Sequence, residues 1–391
     1  MKIATRCVHH EGEGDDPYCA VSPPIYQTAT FEQSNAVEFG DYDYSRTANP
    51  TRTLLQQQLA SLEGADYACA FASGMAAITA LTRLLSVGDE IIAGDDLYGG
   101  TVRLLDQVLR RQGIVARYVN TSDLEAVERE LTPRTRLILI ETPSNPLLHV
   151  TDIRGLAELA KSNGALLAVD NSLLSPCLQQ PLGLGADVVI HSATKFLCGH
   201  SDVTAGALVT NNRELHEQFA FQQNAEGAGL SPFESWLLLR GIKTLSLRVE
   251  RQNSSGRTIA RFLSEHAAVK KVYYTGLPDH AGHLLHQTQA KGDGAVISFT
   301  TGDVSLSERL VSATRLFKIA VSFGAVGSVI SLPFRMSHAS IPAGLKGTLA
   351  PPPDLVRLSA GIEDVDDLLE DLSQAFEVAL ERRVLATSAS R

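Results

Sequence analysis

Short, uninterrupted apolar runs recur through the first half of the chain: YACAFA (67–72), EIIAG (90–94), RLILIE (136–141), ALLAVD (165–170) and DVVIHS (187–192). Between several of them the apolar positions take helical spacing, as in MAAITALTRLLS (75–86) and LAELAKSNG (156–164). Buried strands alternating with helices predict an α/β domain with a mostly parallel sheet covered on both faces. Upstream, TRTLLQQQLASLEG (51–64) predicts a helix stopped by its glycine. A long helical stretch from Ser231 to about Leu263 leads into a smaller C-terminal α/β domain. There ISFTT (297–301) and LVRLSAG (355–361) read as strands, and VDDLLEDLSQAFEVALERR as the closing helix.

Residues 1–50 are rich in turn formers and Tyr, without sustained periodicity. They read as an extended arm that needs another surface to lie on. The expected organisation is therefore an arm over 1–50, a large domain over 51–235 and a C-terminal domain over 236–391.

Composition narrows the function classes. The chain has 391 residues, 34 Lys plus Arg against 44 Asp plus Glu, and a formal charge of −10. That balance disfavours nucleic-acid binding, which needs a basic face. The longest uncharged runs, 67–82, 171–186 and 319–334, are short and broken by polar residues, so no membrane span is expected. The first residues, MKIATRCVHHEGEGDD, lack an apolar signal core, and the five scattered Cys form no CxxC pair. A soluble, cytoplasmic protein with reduced thiols is the expectation.

Ligands of open α/β sheets bind beyond the carboxyl ends of the strands, so the residues following each apolar run are the candidates. YACAFA leads to Ser73-Gly74-Met75 at a helix start, ALLAV to Asp170, and DVVI to His191-Ser192-Ala193-Thr194-Lys195. Backbone N–H groups of Gly74 and Met75, with the hydroxyls of Ser192 and Thr194, suit a phosphate. Asp170 suits a protonated ring nitrogen, and Lys195 suits Schiff-base formation with an aldehyde. Each alone has a plainer reading: a tight turn, a helix cap, a solvated lysine. Together they describe a site for pyridoxal 5'-phosphate.

At the level of motifs, YSRTANPTR (44–52), ASGMAA (72–77), GDDLYGGT (94–101), ETPSNPLL (141–148), VDNSLLSP (169–176), HSATKFLCGHSDVTAG (191–206), SPFESWLLLRGIKTL (231–245) and RLSAGIEDVDDLL (357–369) resemble the pyridoxal-phosphate enzymes of cysteine and methionine metabolism. This is the trans-sulfuration family of cystathionine synthases and lyases, with the aminotransferase-like (type I) fold. Within it, QNAEGAGLSPFESW, KKVYYTGLPDH and AVSFGAVGSVISLPFRMSHASIP are similar to the plant-type cystathionine β-lyases.

The resemblance implies roles by position. Lys195 carries the cofactor and moves the proton; Tyr98 stacks on the cofactor ring and takes a proton from the incoming amine. Asp170 pairs with the ring nitrogen and Asn145 lies near the ring hydroxyl, while Gly74, Met75, Ser192 and Thr194 hold the phosphate. Arg357 binds the substrate α-carboxylate with help from the Ser322 region. Tyr44 and Arg46 reach the phosphate of a neighbouring subunit, which implies a homotetramer built from dimers with shared sites. Arg103 and Tyr44 are candidates for the distal end of the substrate. Spacing alone leaves Arg357 equally able to form a surface ion pair with Glu363 or Asp364.

The γ-acting relatives usually carry a Glu where this chain has Val321, which favours β-elimination of L-cystathionine, a step of methionine biosynthesis. A γ-synthase or γ-lyase on the same scaffold is the alternative, with amino-acid racemisation as a side activity. No metal is expected: His280, His283 and His286 share a spacing that Gly282 weakens as a helix. Nor is a nucleotide expected, since neither GxGxxG nor GxxxxGK[ST] occurs.

Overall fold

The computed structural model describes residues 1–9, 18–339 and 349–388, with side chains to 381. The part of the arm over 10–17 lies outside the described residues. The chain divides into two compact units. One comprises Met1–Ile91, Leu131–Leu139 and Ile153–Leu247; the other comprises Ile92–Glu130, Ile140–Asp152 and Arg248–Arg391. The sequence placed its boundary at 235/236. In the structure the arm groups with the first unit, and two internal segments group with the C-terminal part, which apolar periodicity along the chain does not encode.

The elements begin with α1 (Ile3–Val8), α2 (Pro50–Glu63), β1 (Tyr67–Phe71), α3 (Gly74–Thr82), β2 (Glu90–Gly94), α4 (Gly99–Arg103), β3 (Val115–Val119), α5 (Leu124–Glu130) and β4 (Thr135–Glu141). They continue through α6 (Ile153–Asn163), β5 (Leu166–Asp170), α7 (Ser175–Leu178), β6 (Val188–His191), β7 (Gly206–Thr210), α8 (Arg213–Ala225), α9 (Pro232–Ile242) and α10 (Leu245–Glu265). Then follow β8 (Lys271–Tyr273), α11 (His283–Gln289), β9 (Val296–Thr300), α12 (Val304–Ala313), β10 (Lys318–Ile319), β11 (Val329–Ser331), β12 (Leu355–Ser359) and α13 (Val365–Ser388). Seven strands are hydrogen-bonded in the order β1-β7-β6-β5-β4-β2-β3 and five in the order β10-β11-β12-β9-β8.

In the first unit β5 and β6 run parallel, while β7 is antiparallel to both β6 and β1. The sequence reading missed β7: its GALVT is short and apolar on both faces, with no alternation to betray it. Helix ends follow their local chemistry. Asn49 caps α2 by accepting from Thr51 N, Pro50 starts it, and Gly64 ends it at φ +69°. Ser231 caps α9 ahead of Pro232: its Oγ accepts from Glu234 N at 3.3 Å and donates to the Glu234 carboxylate at 3.0 Å. The helical stretch predicted over 231–263 is two helices, parted at Lys243-Thr244.

The arm is better anchored than its sequence suggests. Cys7 on α1 is buried, Arg6 donates to Ser61 O at 2.8 Å, and Trp236 Nε1 donates to Pro23 O at 2.9 Å. A six-residue helix is too short for periodicity to reveal. Farther along, Val21, Val37 and Phe39 stay exposed.

In the second unit, β9 pairs antiparallel with both β12 and β8, and β12 with β11. The β9 and β12 residues are buried throughout, as their apolar runs require. The remaining strands of this sheet have two or three residues each and carry no sequence signal.

Candidate active site

In the first unit, three chain ends converge where β1, β5 and β6 stop. Ser73 Oγ caps α3 by accepting from Ala76 N at 3.0 Å. The N–H groups of Gly74 and Met75 have no partner among the described residues, and they point where an anion is favoured. A side chain at Gly74 would crowd Ser192. A Cβ there would lie 3.1 Å from Ser192 Cβ and 3.3 Å from Ser192 Oγ. Behind it, a Cβ on Gly206 would meet Ser73 O at 2.2 Å. These two glycines let the start of α3 press against the ends of β6 and β7.

Asp170 ends β5. It accepts from Ser172 N at 2.9 Å, and the Ser172 hydroxyl bonds it as well. The same hydroxyl accepts from Ser192 N at 2.6 Å, tying the Asp170 turn to the carboxyl end of β6. Burial pushes the Asp170 carboxyl above its ordinary range, while Ser172's hydrogen bonds and the charges of His191 and Lys195 oppose the shift. A half-buried carboxylate of this kind is complementary to a protonated ring nitrogen. Thr194 has a different employment: its hydroxyl donates to Ala205 O at 3.2 Å and accepts from Ala205 N at 3.0 Å. It braces the turn carrying Lys195.

A buried network lies on the other face of the sheet. Asp170 is in register with Ile190, so His191 points to the opposite face. There His191 Nε2 lies 2.6 Å from Glu63 Oε1, which also accepts from Asn171 Nδ2 at 3.0 Å. The sequence reading named His191 without a role and passed over Glu63, which sits at the end of an ordinary amphipathic helix with no local pattern to single it out.

Tyr44 and Arg46 stand together on the arm, both exposed, with the Arg46 guanidinium 5.2 Å from the Tyr44 ring centroid. Arg46 Nε donates to Asn224 Oδ1 at 3.1 Å.

The second unit gathers Tyr98, Asn145, Ser322 and Arg357. Arg357, on the central strand β12, is 3% exposed. Its Nη1 donates to Asn145 Oδ1 at 2.7 Å and its Nη2 to Ser322 O at 2.9 Å, with the Phe323 ring centroid 5.4 Å away. Among the described residues it forms no ion pair. Burial lowers its guanidinium to about 10, which leaves it cationic at neutral pH, and the charges of Glu141 and Tyr98 work against the lowering. The surface alternative fails: Glu363 accepts from Ser328 N and Oγ, and Asp364 lies 3.6 Å from Arg251. Ser322 holds its carbonyl toward Arg357 from a left-handed conformation, φ +83°.

Tyr98 N donates to Glu141 Oε2 at 3.3 Å. The Tyr98 ring lies over Gly100, where a Cβ would come within 2.4 Å of it, so that glycine clears the ring's place. Its neighbour Arg103 is exposed and has no partner among the described residues. His338, buried beside this group, is lowered to about 4 by burial first and then by the charge of Arg357, and is neutral at pH 7. Glu141 was legible as an acidic residue ending RLILIE; His338 had no such signal. No cluster of metal-ligating side chains occurs among the described residues.

The residues present fit pyridoxal phosphate: N–H groups at a helix start with no partner among the described residues, a glycine whose Cβ would fill the space beside Ser192, a half-buried carboxylate, and a lysine on the turn after β6. Comparison with known proteins agrees. The chain is 56% identical over 362 residues to a chloroplastic cystathionine beta-lyase of Arabidopsis thaliana, covering 93% of this chain and 78% of that one. It is 50% identical over 377 residues to a cystathionine gamma-lyase of Bacillus subtilis, covering 96% and 100%. A crystal structure of cystathionine gamma-lyase from Lactobacillus plantarum complexed with L-serine superposes with a TM-score of 0.95 at 43% identity, covering 97% and 100%. The profile of one family matches residues 4–377. The chain belongs to the family of pyridoxal-phosphate-dependent enzymes of cysteine and methionine metabolism.

Proposed function

We propose that the protein is a carbon–sulfur β-lyase that splits L-cystathionine into homocysteine, pyruvate and ammonia, serving methionine biosynthesis. The observation that carries this reading is Arg357, a buried cation whose hydrogen bonds among the described residues go to neutral oxygens, leaving its charge for an incoming carboxylate. Bound pyridoxal phosphate supplies an aldehyde to capture the substrate amine and a protonated ring to take up the electron pair left at Cα.

The chain's own residues do the rest. Gly74, Met75 and Ser192 hold the phosphate, with Thr194 bracing the Lys195 turn and Tyr44 and Arg46 reaching the site of a neighbouring copy. Asp170 keeps the ring nitrogen protonated, Asn145 faces the ring hydroxyl, and Tyr98 covers the ring. Arg357 and the Ser322 segment orient the α-carboxylate. Lys195 Nζ removes the Cα proton as general base. Lys195 or Tyr98 then protonates the departing sulfur as the Cβ–S bond breaks.

Val321, apolar and 56% exposed, supports β- over γ-elimination, because it places no carboxylate at the γ-acting relatives' Glu position. The second reading, γ-elimination or γ-replacement, is supported by the 50% identity to a cystathionine gamma-lyase. Slow racemisation of a small amino acid shares the Cα proton step. Arg103 and Tyr44 are available to the distal end of the substrate. A homotetramer and a cytoplasmic setting belong to the same proposal. The exposed apolar residues of the arm support the first, and five cysteines without a disulfide support the second. No helix among the described residues is long and apolar enough to cross a membrane.

The test is to incubate the protein and pyridoxal phosphate with L-cystathionine and identify the keto acid by mass spectrometry. Pyruvate with homocysteine is expected; 2-oxobutyrate with cysteine would establish the γ reading instead.

A further inference from the structure

Asp96 is a buried carboxylate that takes no part in the chemistry above. Its segment leads directly to Tyr98, and its Oδ2 accepts from two donors on the loop that carries Asn145: the Ser144 hydroxyl, in a very short contact, and Leu147 N at 2.9 Å. The Ser144 hydroxyl is a two-way connector, since its oxygen accepts from His149 N at 2.8 Å. An ionised carboxylate only accepts, so it fixes the direction of that chain. The loop closes on itself through Ser144 N to His149 O at 2.9 Å and Leu148 N to Ser144 O at 3.1 Å. A reciprocal tie runs the other way: Glu141, just before the loop, accepts from Tyr98 N. Two acidic side chains thus clasp the Tyr98 segment and the Asn145 loop at both ends. The space left beside Asp96, bounded by Thr121, Glu141, His149 and Thr151, is about 10 Å³, barely the room one water needs.

We propose that Asp96 is a positioning residue for substrate-carboxylate recognition: by holding Ser144 and Leu147 it sets Asn145 Oδ1 where it fixes the Arg357 guanidinium. This rests on the reading of Arg357 as the group that meets the α-carboxylate. Burial raises the Asp96 carboxyl, and the donors from Ser144 and Leu147 counter that shift, so the clasp and the charge support each other. Because both donors meet a single oxygen, an amide oxygen in its place accepts both. Asp96→Asn therefore preserves the clasp, whereas Asp96→Ala removes it and lets water take the donors without restoring the loop's position.

The experiment measures binding of glycine and methylamine, a pair differing only in the carboxylate, to the loaded enzyme through the cofactor's absorbance. Arg357→Ala is expected to weaken glycine at least tenfold and leave methylamine within twofold. Asp96→Ala follows the same pattern at three- to tenfold, Ser144→Ala shifts in the same direction by less, and Asp96→Asn recovers most of the loss. A loss shared equally by both amines in Asp96→Ala, or no loss in either, overturns the positioning role. If Asp96→Ala does not fold, the selective shift in Ser144→Ala decides, and an unselective one overturns the proposal. If Arg357→Ala itself leaves glycine binding unchanged, the carboxylate reading falls and this inference with it.

Discussion

Arg357 Nη1 lies 2.7 Å from Asn145 Oδ1, a contact between residues 212 positions apart in the chain. Asn145 comes from the loop after β4 and Arg357 from the middle of β12, and the fold of the second unit brings them together. The guanidinium is held at a fixed angle by neutral acceptors, which orient it without cancelling its charge.

Arg357→Lys keeps the charge and loses the planar fork. The loss of one charge-assisted hydrogen bond costs about 2 kcal/mol, so kcat/KM for cystathionine is expected to fall roughly thirty-fold. Steady-state kinetics check this; an unchanged kcat/KM would show that Arg357 does not meet the substrate.

Lys195→Ala leaves the fold intact, since the side chain is only partly buried. Turnover is expected to vanish, and the cofactor to be removable by gel filtration. Retained steady-state lyase activity would rule out Lys195 as the base.

Gly206→Ala places a methyl group on Ser73 O and against Gly74 Cα. Overpacking of this kind costs about 1–3 kcal/mol, and here it displaces the start of α3. Weaker pyridoxal-phosphate binding in equilibrium dialysis and a lower melting temperature are expected together. Normal affinity would mean that the start of α3 is not the phosphate site.

His338 makes stability depend on pH. Its folded value of about 4 lies below the ordinary histidine value of 6.5. Between those values the unfolded chain binds the extra proton and the folded one does not, so stability rises with pH across that window. The contribution is fully present above pH 6.5 and is lost as pH falls to about 4, on the order of 3 kcal/mol. Urea denaturation of the protein and of His338→Gln at pH 7 and pH 5 reads it. The variant is expected to have the shallower dependence, and equal slopes would refute the assignment.

Val321→Glu puts a carboxylate where γ-acting relatives carry one. The ratio of 2-oxobutyrate to pyruvate from cystathionine is expected to rise. If it stays fixed, selection between β and γ chemistry lies elsewhere.

Long elements were legible because their signals are local. The α2 helix carries its cap and stop in Asn49, Pro50 and Gly64, and β5 and β6 are apolar runs with no competing period. Short elements were not. The α1 helix and the two- and three-residue strands β8, β10 and β11 exist because neighbours pair with them, and β7 runs antiparallel for reasons that its five residues do not state. The candidate site divides the same way. Gly74, Asp170, Ser192 and Lys195 follow apolar runs and could be picked by position, whereas Asp96, His338 and the Glu63–His191 pair matter only through partners distant in sequence.

By itself the sequence determined the α/β class, the glycine stop of α2, the family and the chemistry its residue types permit, because each rests on neighbours in the chain or on motifs of contiguous residues. The tertiary structure decided that Arg357 is a buried cation braced by Asn145 and Ser322 and not a surface partner of Glu363. It also decided that the Thr194 hydroxyl serves Ala205, and that Asp96 clasps the Asn145 loop. Burial and hydrogen-bond choice depend on which distant groups arrive at the same place, and the physical penalty for an unpartnered buried polar group makes that choice strict.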